Sequence, residues 1–319
     1  MTIKSIVVQK IYSDAYMEQK KGEYFDASEY KQIIKEDINV YNSKGVLLLK
    51  FRKNVISKDL TEKAAKSFSH WAQTTVSKNR GASAGVLDEY KLPAYVGPLI
   101  DPGKFRTSYI SAYSGEPSKQ NVSNLSPSNI AGYYDKKDRN FKDGAKCRTT
   151  AFTREYVEKW KDAIPFIECC DQLYKKLSPI PYKRQLLQCE KTPKFQIAKT
   201  AFSTITVNYS WRTALHQDKG DFVPGYGNLI VVEDRTNPNT YQGCYFGLTQ
   251  YGVCVDVRDG DFLLADVHQW HCNTEFVANS DTPLAEFKAM YRNNDWNYNR
   301  LSFVMYYRTT MHKCQNLNQ

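Results

Sequence analysis

The sequence has no apolar run approaching the roughly 18–20 residues that a membrane-spanning helix needs. The VLLL stretch that starts at Val46 meets Lys50, Arg52 and Lys53 almost at once. The opening MTIKSIVVQKIYSDAY also lacks the apolar core and small-residue cleavage site of a secretory signal, so an intracellular chain, nuclear or cytoplasmic, is expected. Among its eight cysteines there is no CxxC pair and no zinc-ribbon spacing, and adjacent Cys169 and Cys170 are poorly placed to bond each other. Neither a structural zinc site nor a disulfide framework is expected; the thiols read as reduced and mostly buried. Internal repeats and low-complexity tracts are missing. Histidine is scarce, five in 319 residues, so any place where histidines gather is informative.

What is present is an ordinary globular composition, 41 % hydrophobic and 24 % charged, with 44 basic against 34 acidic residues and a net charge of +10. An excess of that size suggests a polyanionic partner, most simply nucleic acid. VLLLKFRKNVI reads as a buried strand. Ser57 then stands where it can cap a helix whose Leu60, Ala64, Phe68 and Trp71 form a one-sided apolar stripe. Residues 79–148 are rich in Gly, Ser, Asn, Pro and Tyr and end in a basic stretch over 136–148, which reads as long ordered loops lying over a site. A second helical pattern opens at Thr153 and is expected to break or restart at Pro165. Beyond Pro179 the runs FSTITVNYS, NLIVVED, CYFGLTQ, VCVDVR, DFLLADV and LSFVMYY are short, β-branched and aromatic, separated by turn residues. That is the pattern of an antiparallel sandwich or barrel, with the helices packed against it.

Three of the five histidines, His216, His268 and His271, fall in this β-rich half. His216 and Asp218 form an H-x-D pair after a predicted strand, and residues i and i+2 of a strand share one face. Two histidines and one carboxylate occupy one face of an octahedron and leave positions open, the facial triad of non-haem Fe(II) oxygenases. His271, at the end of an apolar strand, is preferred as the third ligand, with His268 the alternative or a neighbouring support. Arg300 precedes LSFVMYY and is placed to pair bidentately with a carboxylate, here the distal one of 2-oxoglutarate. Asn208 is a candidate for the other end of that cosubstrate, and Arg212 and Asp221 for contacts to cosubstrate or substrate.

FSTITVNYSWRTALHQDKGDFVPGYGNL, QYGVCVDVRDGDFLLADVHQWHCNT and NRLSFVMYYR resemble the oxygenase domain of the TET/J-binding-protein family, nearest to its thymine hydroxylase branch. The likeness is dense over 195–310, with weaker echoes in NRGASAG, RTSYIS, SNIAGYYD and CRTTAFT. It implies an α+β fold, with a double-stranded β-helix core over 196–310, helical and loop support over 46–195 and an N-terminal extension over 1–45. It also implies iron on His216, Asp218 and His271, 2-oxoglutarate on Arg300, and O₂ as oxidant. The implied reaction is hydroxylation of the C5-methyl group of thymine or 5-methylcytosine in DNA. The base must then be flipped or single-stranded. The tyrosines of 109–134 and the basic stretch 136–148 are the candidate DNA contacts. Another substrate (RNA, protein or a small molecule), or ascorbate as cosubstrate, is the alternative. The stretch MYRNNDWNYN before Arg300 is expected to shape a substrate mouth or to be a simple insertion.

Overall fold

A computed structural model describes residues 3–137, 145–233, 241–278 and 300–314. The strands that matter, in chain order, are β1 (Lys4–Val8), β2 (Gln32–Ile34), β3 (Ile38–Asn42), β4 (Leu47–Arg52), β5 (Ser128–Lys137) and β6 (Ala145–Thr149). They continue with β7 (Thr204–Tyr209), β8 (Gly227–Glu233), β9 (Phe246–Leu248), β10 (Val253–Val255), β11 (Phe262–Ala265), β12 (Cys272–Asn273) and β13 (Arg300–Tyr306). Nine of them form one sheet in the order β1-β3-β4-β11-β8-β13-β7-β5-β6. A smaller sheet runs β12-β9-β10-β2. Residues 4–42 thus supply strands to both sheets.

Alternation along the central strands explains the layers. On β13, Leu301, Phe303 and Met305 enter the core beneath the helices, while Ser302, Val304 and Tyr306 face the other way. On β8 and β11, Ile230, Val232, Phe262 and Leu264 join that same core, whereas Leu229, Val231, Leu263 and Ala265 pack with Phe246, Leu248, Val253 and Val255 of the smaller sheet. Both faces of the large sheet are therefore covered, which is why these strands read as nearly continuous apolar runs. The result is the double-stranded β-helix sandwich with helical support.

Three long helices cover the outer face: α1 (Lys58–Thr74), α2 (Val157–Leu177) and α3 (Pro179–Glu190). Ser57 is the N-cap of α1, whose Phe68 stacks on Phe152 at 4.6 Å and meets Phe303 edge-on at 5.2 Å. Pro165 does not break α2. It removes the hydrogen bond to the Lys161 carbonyl, but both residues lie on the exposed face, where that carbonyl is open to solvent. Buried Ala163, Phe166, Ile167 and Cys170 hold the helix to the sheet on either side of it.

Two other expectations are corrected. Residues 79–148 are not simply loops, because they contain β5, β6 and a three-stranded sheet of Val96–Leu99, Thr107–Ser111 and Pro117–Val122. Pro117–Val122 is largely exposed, so no apolar alternation marks it in the sequence. Cys147 and Cys314 are disulfide-bonded, with Cα atoms 5.7 Å apart across 167 residues of chain, a separation no local spacing reveals. The other six cysteines are free, and five of them are buried. No helix among the described residues is long and apolar enough to cross a membrane.

Candidate active site

Between the two sheets lies a cavity of about 310 Å³. His216, Asp218 and His271 line it, and one ligand atom from each lies within 4.8 Å of the other two. Among the described residues this is the group of three that can hold a metal ion, and His268 is not in it. The pairing is local: His216 and His271 form an antiparallel bridge, each backbone N–H donating to the other's carbonyl at 3.0 Å. The Asp218 N–H donates to the Val267 carbonyl at 2.9 Å, which turns its carboxylate in beside the two rings.

The rings are fixed through their outer nitrogens. His216 Nδ1 bonds the Ala214 carbonyl at 2.7 Å and His271 Nδ1 bonds the Gln269 carbonyl at 2.9 Å. A carbonyl only accepts, so each Nδ1 carries the proton and each Nε2 is left as a donor atom toward the cavity. The Nε2 atoms of His216 and His271 stand 3.5 and 3.6 Å from the Asp218 oxygens. Ligand atoms about 2.0–2.2 Å from one cation, the usual reach of imidazole and carboxylate on a first-row metal, fit such spacings.

Electrostatics separate the three groups. Burial, with the neighbouring His271, lowers the pKa of His216 to about 4, so that ring is neutral. Burial acts the same way on His271, but the hydrogen bond and charge of Asp218 outweigh it and its pKa rises. Asp218 is held at about 2: burial opposes this, and the two imidazoles, His271 first, more than compensate.

A polar ledge extends from the triad. Ser128 Oγ donates to Asn208 Oδ1 at 2.5 Å, and Asn208 Nδ2 donates to Ser302 Oγ at 3.1 Å. Arg300 is the next residue on that face of β13 beyond Ser302. It is 1 % exposed and lies beyond the cavity wall. Its guanidinium hydrogen-bonds Tyr241, while Nε and Nη2 have no partner among the described residues. Two buried donors left open in a row suit a carboxylate.

Arg212 does not reach the cavity. It ion-pairs with Asp26 at 2.5 Å, donates to the Phe25 and Asn273 carbonyls and sits over the Tyr24 ring at 4.6 Å, pinning the N-terminal segment. His268 lies outside the lining too, its carbonyl taken by Gln217 Nε2 at 2.6 Å. Asp221 does line the cavity; its Oδ2 is buried with no partner among the described residues, and burial, then Asp218, pushes its pKa well up. Tyr109 is buried, Tyr113 is 81 % exposed, Tyr133 packs on Phe195, and none of them lines the cavity. The tip of the basic stretch and the MYRNNDWNYN stretch lie outside the described residues.

Sequence reasoning passed over Arg80, Ser128, Ser302, Tyr306 and Arg308, all of which line the cavity. Period-two spacing from Arg300 marks Ser302 and Tyr306, a signal available in the sequence. Arg80 and Arg308 carry no such mark. Arg308 is held by Asp135 at 2.6 Å, and Arg80 donates to the Ser128 carbonyl at 3.1 Å.

Residues 129–309 match a family model described as the oxygenase domain of the 2OGFeDO superfamily, the 2-oxoglutarate- and Fe(II)-dependent oxygenases. The chain is similar to the thymine dioxygenase JBP1 of Trypanosoma brucei brucei, 35 % identical over 243 residues, which is 75 % of this chain and 26 % of that protein. It is 34 % identical over 238 residues to thymine dioxygenase JBP1-B of Trypanosoma cruzi (strain CL Brener), 73 % of this chain and 25 % of that one. It therefore spans about a quarter of the length of the curated relatives it matches. Among solved structures, NgTET1 in complex with 5mC DNA aligns over 94 % of this chain and 92 % of that one, at 11 % identity and a TM-score of 0.46. By the match over residues 129–309, more than half of its length, the chain belongs to the Tet_JBP family of oxygenase domains.

Proposed function

We propose that this chain is an Fe(II)- and 2-oxoglutarate-dependent dioxygenase that hydroxylates the C5-methyl group of a pyrimidine in DNA, thymine ahead of 5-methylcytosine. One observation carries the reading: two neutral-capable imidazoles and one carboxylate converge on the wall of a small cavity, with their outer nitrogens already committed. The preference for thymine rests on relatives named as thymine dioxygenases.

The donor set fits the iron that the family implies. His216, Asp218 and His271 would hold it by one face, leaving the remaining positions for the cosubstrate and O₂. Bound there with 2-oxoglutarate and O₂, the iron supplies the oxidising power to replace a methyl C–H with C–OH. The two open N–H groups of Arg300 receive the distal carboxylate of 2-oxoglutarate, and the Ser128–Asn208–Ser302 ledge lies between Arg300 and the triad. Leu229, Phe246, Ala265, Val267 and Val304 form the apolar part of the wall and exclude water from the reacting methyl. A methyl group stacked inside a duplex does not reach a cavity between two sheets, so the base enters flipped or from a single strand.

The test is nucleoside mass spectrometry after incubation with Fe(II), 2-oxoglutarate and O₂. One oligonucleotide has thymine as its only C5-methyl base; a second also carries 5-methylcytosine. Gain of one oxygen on thymine is expected. Gain on 5-methylcytosine alone would reverse the substrate order. No gain on either, with iron shown to be bound, would overturn the assignment to DNA.

A further inference from the structure

Outside the cavity, one stretch of the surface carries charge that the site does not use. Residues 179–199, comprising α3 and the turn Pro193–Phe195, contain Lys183, Arg184, Lys191, Lys194 and Lys199 against the single acidic Glu190. All five cations are exposed. The arrangement follows from how α3 packs: Tyr182, Gln185 and Cys189 are its buried face, which turns Lys183, Arg184 and Lys191 outward.

Some lysines elsewhere pair with carboxylates three or four residues away, as in Lys10–Asp14, Lys20–Glu23, Lys21–Glu18 and Lys161–Glu158. Among the described residues none of the five cations lies within 4.0 Å of a carboxylate, and Lys191 bonds only Gln188, at 3.1 Å. No residue of the tract lines the cavity, but the tract packs behind one end of its wall, where Cys189 clusters with Tyr307 and Phe222, chain neighbours of the lining residues Tyr306, Arg308 and Asp221. Thr192 Oγ1 lies 3.4 Å from the Tyr307 hydroxyl, and Tyr307 stands in the chain between Tyr306 and Arg308, which line the cavity. Phe195 packs edge-on against Tyr133 of β5 at 5.8 Å.

From this we infer that the α3 tract binds the phosphate backbone of duplex DNA flanking the base that enters the cavity. The inference rests on the DNA reading above. The 12 residues of α3 span about 18 Å, along which one strand of B-DNA places roughly five phosphates. Unpaired, exposed lysine and arginine side chains release counterions from such a backbone without reading sequence. A lipid surface suits the tract less well, because the apolar face of α3 is spent on the core and only Ile180 and Leu187 are exposed beside the cations.

The experiment compares two triple charge reversals in the full chain. Lys183→Glu, Arg184→Glu and Lys191→Glu alter the tract; Lys58→Glu, Lys63→Glu and Lys66→Glu alter exposed positions of α1 by the same net charge. Duplex affinity is measured by fluorescence anisotropy without iron over a series of salt concentrations, with thermal melting to establish that both variants fold. In the tract variant the slope of log K against log salt should become shallower by about 0.9 for each phosphate that is no longer neutralised, roughly 2–3 in all. Its affinity at low salt should drop at least tenfold, with a much smaller change in the α1 variant. Oxidation of a four-nucleotide single strand should be the same in the tract variant as in the parent, while oxidation of a long duplex declines. Equal slope changes in the two variants would overturn the inference, as would tract-dependent binding to anionic vesicles or polyglutamate but not to duplex. If the parent protein oxidises no methylated DNA, the proposed function fails while the salt slopes still decide whether the tract holds a duplex.

Discussion

Replacing Arg300 with methionine separates two effects that most active-site substitutions confound. Arg300 is 1 % exposed and its guanidinium hydrogen-bonds Tyr241, and its Nε and Nη2 donors have no partner among the described residues. Burial disfavours its charge, yet Cys244 and Tyr241 more than offset this and raise its pKa, so it remains a cation. An unpaired buried donor costs about 1–3 kcal/mol. Without cosubstrate, removing two such donors offsets the lost Tyr241 bond, and the variant should melt close to the parent. Cosubstrate binding should respond in the opposite way. Removing one partner of a buried charged pair costs about 2–5 kcal/mol, which at about 1.4 kcal/mol per decade raises the dissociation constant by about 30-fold to several thousand-fold. At a 2-oxoglutarate concentration 100 times the parent's dissociation constant, the parent gains about 2.7 kcal/mol of stability. A variant weakened 30-fold gains about 0.9 kcal/mol, and one weakened a thousandfold gains almost nothing. Anaerobic denaturation with Fe(II), with and without 2-oxoglutarate, measures both numbers, and the KM for 2-oxoglutarate in turnover should move in parallel. An Arg300→Met protein with the parent's cosubstrate stabilisation and KM would refute the assignment of Arg300 to the distal carboxylate.

His216→Ala, Asp218→Ala and His271→Ala should each abolish turnover and tight iron retention with the fold intact by circular dichroism, whereas His268→Ala should keep iron, measured by metal analysis after gel filtration. Arg212→Ala should leave the KM for 2-oxoglutarate unchanged and lower stability by under about 2 kcal/mol, because an ion pair and a ring contact of this kind are each worth about 1 kcal/mol or less near the surface; a large KM change would return Arg212 to the cosubstrate site. Metal affinity should rise with pH on passing above the ordinary histidine range. His271, whose pKa is raised by Asp218, must lose its proton to bind, whereas His216 is already neutral well above its pKa of about 4. Calorimetry in two buffers of different ionisation enthalpy should count more protons released per ion below the ordinary histidine range than above it, and a count above one would mean that His216 is protonated as well. Phe303→Ala should cost about 3–5 kcal/mol in urea denaturation, since the ring is fully buried between Phe68 and Phe166, 5.2 Å from each. It points away from the Ser302 face, so metal affinity of the folded fraction should not change.

Much of this was legible in the sequence because it is written in short-range patterns. Alternation fixes which residues of a strand share a face, so LSFVMYY already separates Leu301, Phe303 and Met305 from Ser302, Val304 and Tyr306. The apolar stripe of α1, the strand runs beyond Pro179 and the H-x-D spacing are signals of the same kind. What a residue meets across the fold is not local. The sequence places His271 and His268 three residues apart and offers no way to measure either against His216; the antiparallel bridge brings His271 to the Asp218 carboxylate and leaves His268 outside. Arg212 sits four residues before His216, but the path of residues 25–26 takes its guanidinium away from the cavity. Arg80 and Arg308, 228 positions apart in the chain, face one cavity because sheet pairing brings their segments together. Cys147 and Cys314 meet for the same reason. The sequence by itself thus determined the kind of site and the faces of its elements, since both follow from residue type and a period of two. Only the tertiary structure decided which charges enter the site and which brace the fold around it, because contact across a sheet depends on long-range pairing that no window of sequence contains.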